Sequence, residues 1–341
     1  LITVKFVFHQ PANGQKTGVR QIMKVAIFAP MPQSALIALR NTKGIEGIEL
    51  VSEQNAELPN TFADAQVAVI RSTTKIDEKF LLAHPKLQLI VTMTSGFDHI
   101  DVKLCQSKNI LTAYTPDANA QAAAEHTLHL ILATLKRANE TQNSMRQGNW
   151  RSGLSRAREL SGMSVGIIGL GRVGQKVAQF AKAFGAKVHA HDPYQADQVF
   201  QKLGIIRESL TEVLVQADLL TLHVPLTKET KHMMSFENLE TLPAGCFLIN
   251  TSRGKVIDEM ALVSVLDSSH IQGVGLDVFE NEPLGKDHRL RKFKNVFLSP
   301  HVGAFTEEAF ERGGGDAVLE IQRFVATKNI QNPIPLEQIN L

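Results

Sequence analysis

The sequence predicts an α/β fold of two doubly wound, parallel-sheet domains, and three observations predict it. A glycine-rich turn, Gly169-Leu170-Gly171-Arg172-Val173-Gly174, separates a short apolar run at Val165–Ile168 from helical spacing over Gln175–Phe184. Apolar runs of strand length alternate with helical segments on both sides of that turn. The length, 341 residues, is that of about two domains. Both domains are therefore read as Rossmann-like.

The glycine turn carries the first functional expectation. Its first glycine makes the tight turn, the second lets the backbone approach a pyrophosphate, and the third lets helix and strand pack closely. The helix N-terminus that follows favours an anion. A second strand, Lys187–His191, ends at Asp192, 192 − 174 = 18 positions past the last glycine. A carboxylate there can accept hydrogen bonds from the adenosine ribose and repels a 2′-phosphate. The expected cofactor is NAD rather than NADP.

Composition excludes several alternatives. The chain is 43% hydrophobic and 21% charged, ordinary values for a globular protein, with a net charge of +2 that gives no electrostatic case for nucleic acid or membrane. Cys105 and Cys246 stand far apart without a C-x-x-C pattern, so neither a disulfide framework nor a metal site is expected, and both read as buried thiols in a reducing compartment. No apolar run approaches a membrane span. Residues 1–22 have no convincing signal-peptide pattern and read as a poorly ordered extension or start-site artefact, which leaves a cytoplasmic location by default.

In chain order, Lys24–Ala29 reads as a strand, Ser34–Arg40 as a helix, and Ile48–Val51 and Ala65–Arg71 as strands. A helix from Asp77 to Ala83 and a strand at Leu87–Thr92 follow. Ligands bind at the carboxyl ends of strands in such sheets, so Arg71 and the Ser95-Gly96 turn are substrate candidates; a surface ion pair is the other reading of Arg71. Pro116–Asn119 reads as a linker and Ala120–Lys136 as a long helix. His126 and His129 can share a helix face, which reads as packing or solvent contact rather than half a metal site.

Beyond the glycine turn, helices at Ser209–Val215, Glu237–Leu242 and Glu259–Ser268 alternate with strands at Asp218–His223, Gly245–Asn250, Gly273–Leu276 and Val296–Leu298. His223, Arg253, Asp277 and His301 all fall just past strand ends, on one rim of a parallel sheet. A helix over Thr306–Ala326 can pack back on the first domain. Arg253, Glu282 and His301 together offer an anion clamp, a carboxylate and a titratable imidazole. Hydride exchange at a carbinol carbon requires a proton to move at its oxygen, which histidine suits. A carboxylate against the far ring nitrogen fixes the tautomer, and arginine holds a 2-oxo acid bidentately.

The motifs VGIIGLGRVG at 165–174, LHVPLTKET at 222–230, NTSRG at 250–254, GLDVFENEP at 275–283 and SPHVGA at 299–304 resemble, in order and spacing, those of the D-isomer-specific 2-hydroxyacid dehydrogenase family. The likeness runs from about residue 24 to the C-terminus. It implies two Rossmann-like domains with an interdomain cleft: a flavodoxin-like substrate domain over 23–118 plus 305–341, and an NAD-binding domain over 119–304. It implies that Arg253 binds the substrate carboxylate or carbonyl, that His301 is the general acid/base and that Glu282 is its partner. Cofactor-facing positions are then Gly169, Gly171, Arg172, Val173, Gly174, Asp192, Val224, Pro225, Thr251, Ser252, Asp277 and Gly303, with Asp277 against the nicotinamide carboxamide. SGFDHID at 95–101 resembles the family's carboxylate-binding glycine loop, and AEHTL at 124–128 its dimerisation region, which implies a homodimer. VIRSTTK at 69–75 and GAFTEEA at 303–309 are most similar to the D-3-phosphoglycerate dehydrogenase branch in a short form without a regulatory domain, although Phe305 departs from the small or hydroxyl residue usual there. Glu282 argues against the formate dehydrogenase branch. The implied substrate is a small 2-hydroxy or 2-oxo acid such as 3-phosphoglycerate, with glyoxylate/hydroxypyruvate reduction or D-lactate oxidation as alternatives. A corepressor-like protein that senses NADH is the alternative of another class.

Overall fold

A computed structural model describes residues 5–7, 22–50 and 63–335. The chain forms two compact units, Leu1–Asn119 with Thr306–Asn340, and Ala120–Phe305 with Leu341. The first contains β1 (Lys5–Val7), β2 (Met23–Ile27), α1 (Gln33–Arg40), β3 (Ile45–Leu50), β4 (Val67–Ile70), α2 (Glu78–Ala83), β5 (Leu89–Thr92), α3 (Val102–Ser107) and β6 (Leu111–Tyr114). Its sheet has the order β1-β3-β2-β4-β5-β6. Strands β2 to β6 are parallel and β1 is antiparallel to β3. Every residue of β4 and β5 is buried, as a strand covered on both faces requires. The parallel strands lie in the order 2-1-3-4-5 of the flavodoxin type. Of the expected extension over 1–22, Lys5–Val7 form an edge strand and Ile22 leads into β2, whereas the remainder lies outside the described residues.

The second unit contains α4 (Ala120–Leu135), α5 (Ala138–Arg146), β7 (Ser164–Ile168), α6 (Arg172–Ala183), β8 (Lys187–His191), α7 (Asp197–Leu203), β9 (Ile206–Arg207), α8 (Leu210–Gln216) and β10 (Leu219–Leu222). It continues through α9 (Phe236–Thr241), β11 (Cys246–Asn250), α10 (Glu259–Asp267), β12 (Ile271–Leu276) and β13 (Val296–Leu298). The sheet runs β13-β12-β11-β10-β7-β8-β9, parallel throughout. That is the 3-2-1-4-5-6 dinucleotide-binding order with one more strand at the edge, and its topological switch point lies between β7 and β10. Alternate residues of one strand enter opposite core layers: Leu248 packs with Leu220, Val274 and Leu262, while Phe247 and Ile249 pack with Leu130, Ile131 and Val177. Each such fully buried aliphatic side chain contributes about 1.5–3 kcal/mol.

One row of paired residues crosses this sheet: His191, Ile168, Leu222, Asn250, Leu276 and Leu298. The strands therefore end level, and the next residues, Asp192, Gly169, His223, Thr251, Asp277 and Ser299, form a common rim. The last helix, α11 (Glu307–Thr327), starts at Thr306, whose hydroxyl caps the Ala309 amide, and belongs to the first unit. There Ala317, Ile321 and Phe324 pack with Leu36, Leu39 and Val69.

Several elements differ from the sequence reading. Helix α6 begins at Arg172 rather than Gln175 because Gly171 is its N-cap, and β3 begins at Ile45 rather than Ile48. The sequence reading also lacks α3, β6, α5, α7 and β9. Helix α5 buries no residue, α7 buries Phe200 alone and β9 is exposed, so none carries an apolar period. Cys105 and Cys246 are buried free thiols, and burial pushes both up to about 12. Among the described residues, no His, Cys, Asp and Glu group could hold a metal ion, and no helix is long and apolar enough to cross a membrane.

Candidate active site

The glycine turn is built by packing at two positions and left open at the third. Gly169 has φ +90°, and a Cβ there would lie 2.6 Å from the His223 carbonyl oxygen. A Cβ on Gly174 would lie 2.1 Å from the Gly169 carbonyl oxygen, so only glycine lets α6 begin against this loop. A Cβ on Gly171 would have no atom within 4 Å, and no side chain caps the helix it starts. Arg172 and Val173 open that first turn. An uncapped helix N-terminus facing open space is a site for a pyrophosphate. Asp192, at the end of β8, accepts from the Leu170 amide at 2.7 Å and from the Tyr194 amide at 2.9 Å. Its carboxylate thus also braces the turn, with lone pairs left over for ribose hydroxyls. Val224 and Pro225 follow β10 beside Gly169, across the switch point. The residues present fit a bound dinucleotide.

The loop after β11 is folded by Asn250, a buried residue absent from the sequence-derived site. Its Oδ1 accepts from the Ser252 amide at 2.9 Å and the Ser252 hydroxyl at 2.8 Å, and its Nδ2 donates to the Arg253 carbonyl at 2.9 Å. The one available signal was an amide ending the apolar strand GCFLIN. The Thr127 hydroxyl on α4 donates to the Ala123 carbonyl at 2.7 Å, which leaves Thr251 to donate to Thr127 at 2.7 Å. Arg253 directs one guanidinium nitrogen to the Ser252 carbonyl at 2.7 Å.

His301 Nδ1 lies 2.6 Å from Glu282 Oε2, while Glu282 Oε1 accepts from the Phe279 amide at 3.0 Å. The Glu282 hydrogen bond raises the imidazole pKa against the effects of burial and the Arg253 charge. Burial would raise the Glu282 carboxyl, but the His301 hydrogen bond, the Phe279 amide and the charges of His301 and Arg253 hold it below the usual carboxylate range. Half of the His301 side chain is exposed while Nδ1 is engaged. The structure therefore brings Glu282 and His301 into contact and places Arg253 where its charge acts on both.

Asp277 is bonded to the loop that follows β13. Its buried carboxylate accepts from the Ser299 hydroxyl at 2.6 Å and from the amides of Val302 at 2.9 Å and Gly303 at 2.8 Å. Its carbonyl accepts from the His301 amide at 2.8 Å. Burial would raise the carboxyl, but hydrogen bonds from His126, Ser299 and Val302 outweigh it and hold the pKa down. His301 has φ +54°, a left-handed conformation that costs a non-glycine residue about 1–2 kcal/mol and needs such over-determination. Asp277 thus holds the loop that carries His301. His126, read from sequence as a packing residue, joins this group, with Nε2 2.9 Å from Ser299 Oγ and 3.3 Å from Asp277.

The remaining candidates belong to the first unit. The Arg71 guanidinium lies 5.7 Å from the centroid of the Phe310 ring. Thr94 donates to the Gly96 carbonyl at 2.7 Å, Thr92 to Thr94 at 2.8 Å, and His99 Nε2 to Thr92 at 3.1 Å. That chain of donors shapes the Ser95-Gly96 turn, and the sequence reading assigned no role to the Thr92 and Thr94 hydroxyls within it.

Comparison with known proteins agrees with this architecture. Residues 128–303 match the family model for the NAD-binding domain of D-isomer specific 2-hydroxyacid dehydrogenases. The chain is 33% identical over 319 residues to the D-3-phosphoglycerate dehydrogenase of Methanocaldococcus jannaschii, covering 93% of this chain but 60% of that protein. It is 38% identical to the glyoxylate reductase of Aeropyrum pernix, over 72% of this chain and 75% of that one. The D-lactate dehydrogenase of Aquifex aeolicus, solved with NAD and lactic acid, is 32% identical with a TM-score of 0.78, over 93% of this chain and 97% of that chain. The chain belongs to the D-isomer specific 2-hydroxyacid dehydrogenase family, and its second unit contains that family's NAD-binding domain.

Proposed function

We propose that this protein catalyses reversible hydride transfer between NAD(H) and a small D-2-hydroxy acid and its 2-oxo partner. The observation that carries the reading is the 2.6 Å His301–Glu282 contact beside Arg253 on the rim of a dinucleotide-binding sheet. Bound NAD(H) supplies the hydride acceptor or donor. Arg253 holds the carboxylate or carbonyl of the acid, and His301 gives a proton to, or takes one from, the carbinol oxygen through Nε2. Glu282 keeps Nδ1 protonated and stabilises the imidazolium. Asp277, Thr251, Ser252 and Gly303 border the nicotinamide end; Asp192 receives the adenosine ribose. Arg71, Ser95 and Gly96 bind the anionic end of the substrate.

The D-3-phosphoglycerate dehydrogenase relative favours 3-phosphoglycerate as the first substrate to test. The glyoxylate reductase, matched over three quarters of its length, favours a small unphosphorylated oxo acid as the second. A cytoplasmic homodimer belongs to the same reading, resting on the likeness of AEHTL at 124–128 to the family's dimerisation region. The test is NADH oxidation with 3-phosphohydroxypyruvate, hydroxypyruvate, glyoxylate and pyruvate. Turnover of any of them supports an enzyme; tight NADH binding with no turnover would instead favour the NADH-sensing role. NADH should be preferred over NADPH, and Asp192→Ala should narrow that preference by removing a charge that repels a 2′-phosphate. Equal efficiency of the parent with both cofactors would refute the role given to Asp192.

The pair also sets a pH dependence. Oxo-acid reduction needs protonated His301 and hydroxy-acid oxidation needs it neutral. Because Glu282 raises the imidazole pKa, Glu282→Gln should lower it. Reduction should then decline at lower pH than in the parent, and oxidation should persist to lower pH. Rate profiles in both directions check this, and unmoved profiles would separate Glu282 from His301.

A further inference from the structure

A pair of carboxylates beside the Glu282–His301 contact binds the loop of Glu282 to helix α10. The Glu280 amide donates to Glu259 Oε1 at 2.7 Å, and the Glu259 amide donates to Glu280 Oε1 at 3.0 Å. Each glutamate thus caps the other's backbone, and Glu259 is the first residue of α10, where the helix dipole favours a negative side chain. Imidazoles close both ends, with His288 Nε2 3.2 Å from Glu259 and His232 Nε2 3.2 Å from Glu280. Glu259 is buried, so its bonds to the loop are shielded from competing water.

Two connections run from this lock to the reaction site. A Cβ on Gly254 would lie 1.8 Å from the Phe279 carbonyl carbon and 2.5 Å from the Glu280 nitrogen, so the backbone following Arg253 rests directly on the Phe279–Glu280 peptide. The amide on the other side of Phe279 donates to Glu282 Oε1, whose second oxygen meets His301. A shift of the Phe279–Glu280 peptide therefore moves the seat of Arg253 and the anchor of Glu282 together. The charges that act on His301 include Glu282, Arg253 and Asp277.

We propose that Glu280, locked reciprocally to Glu259, is a positioning residue that sets the placement of both Arg253 and Glu282. The inference rests on the acid–base reading of His301 and Glu282 given above. It concerns the reach of the side chain rather than its charge. Glu280→Gln keeps the reach to the Glu259 amide and loses the charge; Glu280→Asp keeps the charge and is one methylene too short.

The experiment follows the His301 imidazole pKa by NMR titration of ring-labelled protein, with His301→Ala assigning the signal, in the presence and absence of NADH. Glu280→Asp should lower that pKa and Glu280→Gln should leave it at the parent value. Glu280→Ala should resemble Glu280→Asp, with turnover of whichever oxo acid the parent reduces falling about tenfold. The Asp variant retains most of the side chain, so the test stands even where the Ala variant fails to fold. A fall in Glu280→Gln with a parent-like Glu280→Asp would assign the effect to charge and overturn the proposal. Parent-like values in both would overturn it as well. Glu282→Gln serves as the control: if it too leaves the His301 pKa unmoved, the acid–base pair itself is what fails.

Discussion

Replacing His301 with alanine should lower turnover in both directions by about two to four orders of magnitude, the usual contribution of a general acid–base group. The expectation follows from the geometry of its two ring nitrogens. Nδ1 is held 2.6 Å from Glu282, which leaves Nε2 of the half-exposed ring for the proposed proton exchange with the substrate oxygen. The loop is held by the Asp277 carboxylate and carbonyl, which bond backbone amides and Ser299 rather than the imidazole. Loss of the ring therefore leaves the rim folded, and NADH affinity, measured by fluorescence titration, should stay within a few-fold of the parent. A large loss of NADH binding would place His301 in the cofactor site instead.

Gly174→Ala should have the opposite profile, with affinity for NADH and stability falling together. The new methyl would lie 2.1 Å from the Gly169 carbonyl oxygen, a backbone atom that moves only if the glycine turn and α6 separate. Overpacking of this kind costs about 1–3 kcal/mol, and the displaced element is the one that would hold the pyrophosphate. NADH affinity should fall at least about tenfold and the melting temperature by several degrees. Gly171→Ala is the informative partner. Its methyl meets nothing within 4 Å and its φ of −75° suits any residue, so the protein without cofactor should melt close to the parent. Weakened NADH binding by Gly171→Ala with unchanged melting would show that the open face of this turn is where the cofactor approaches. Undiminished binding in both variants would remove the turn from the cofactor site.

The fold and the residues proposed to react were legible in the sequence because both are written locally. The apolar runs VGII, LLTL and CFLIN are buried strands whatever surrounds them, and Gly169 and Gly174 announce a turn that no other residue could make. Thr306 and Ser209 mark helix starts by the same local chemistry, a hydroxyl on a free amide. Elements with no such signature were lost: α5 is polar all round and β9 is two exposed residues, so neither has a period to read.

What only the tertiary structure decided is which polar groups meet. Arg253, Glu282 and His301 could be placed past strand ends, but the level row from His191 to Leu298 is a property of strand pairing, not of any one strand. Asp277 read as a cofactor contact, and the fold bonds its carboxylate to the loop of His301; His126, 151 positions before Asp277 in the chain, read as packing and stands 3.3 Å from it. The Glu259–Glu280 lock has no sequence signal, because a carboxylate bonded to a distant amide looks like any surface glutamate until folding removes its water. Local propensity and pattern are properties of neighbours in the chain, whereas hydrogen bonding of buried groups is settled by neighbours in space.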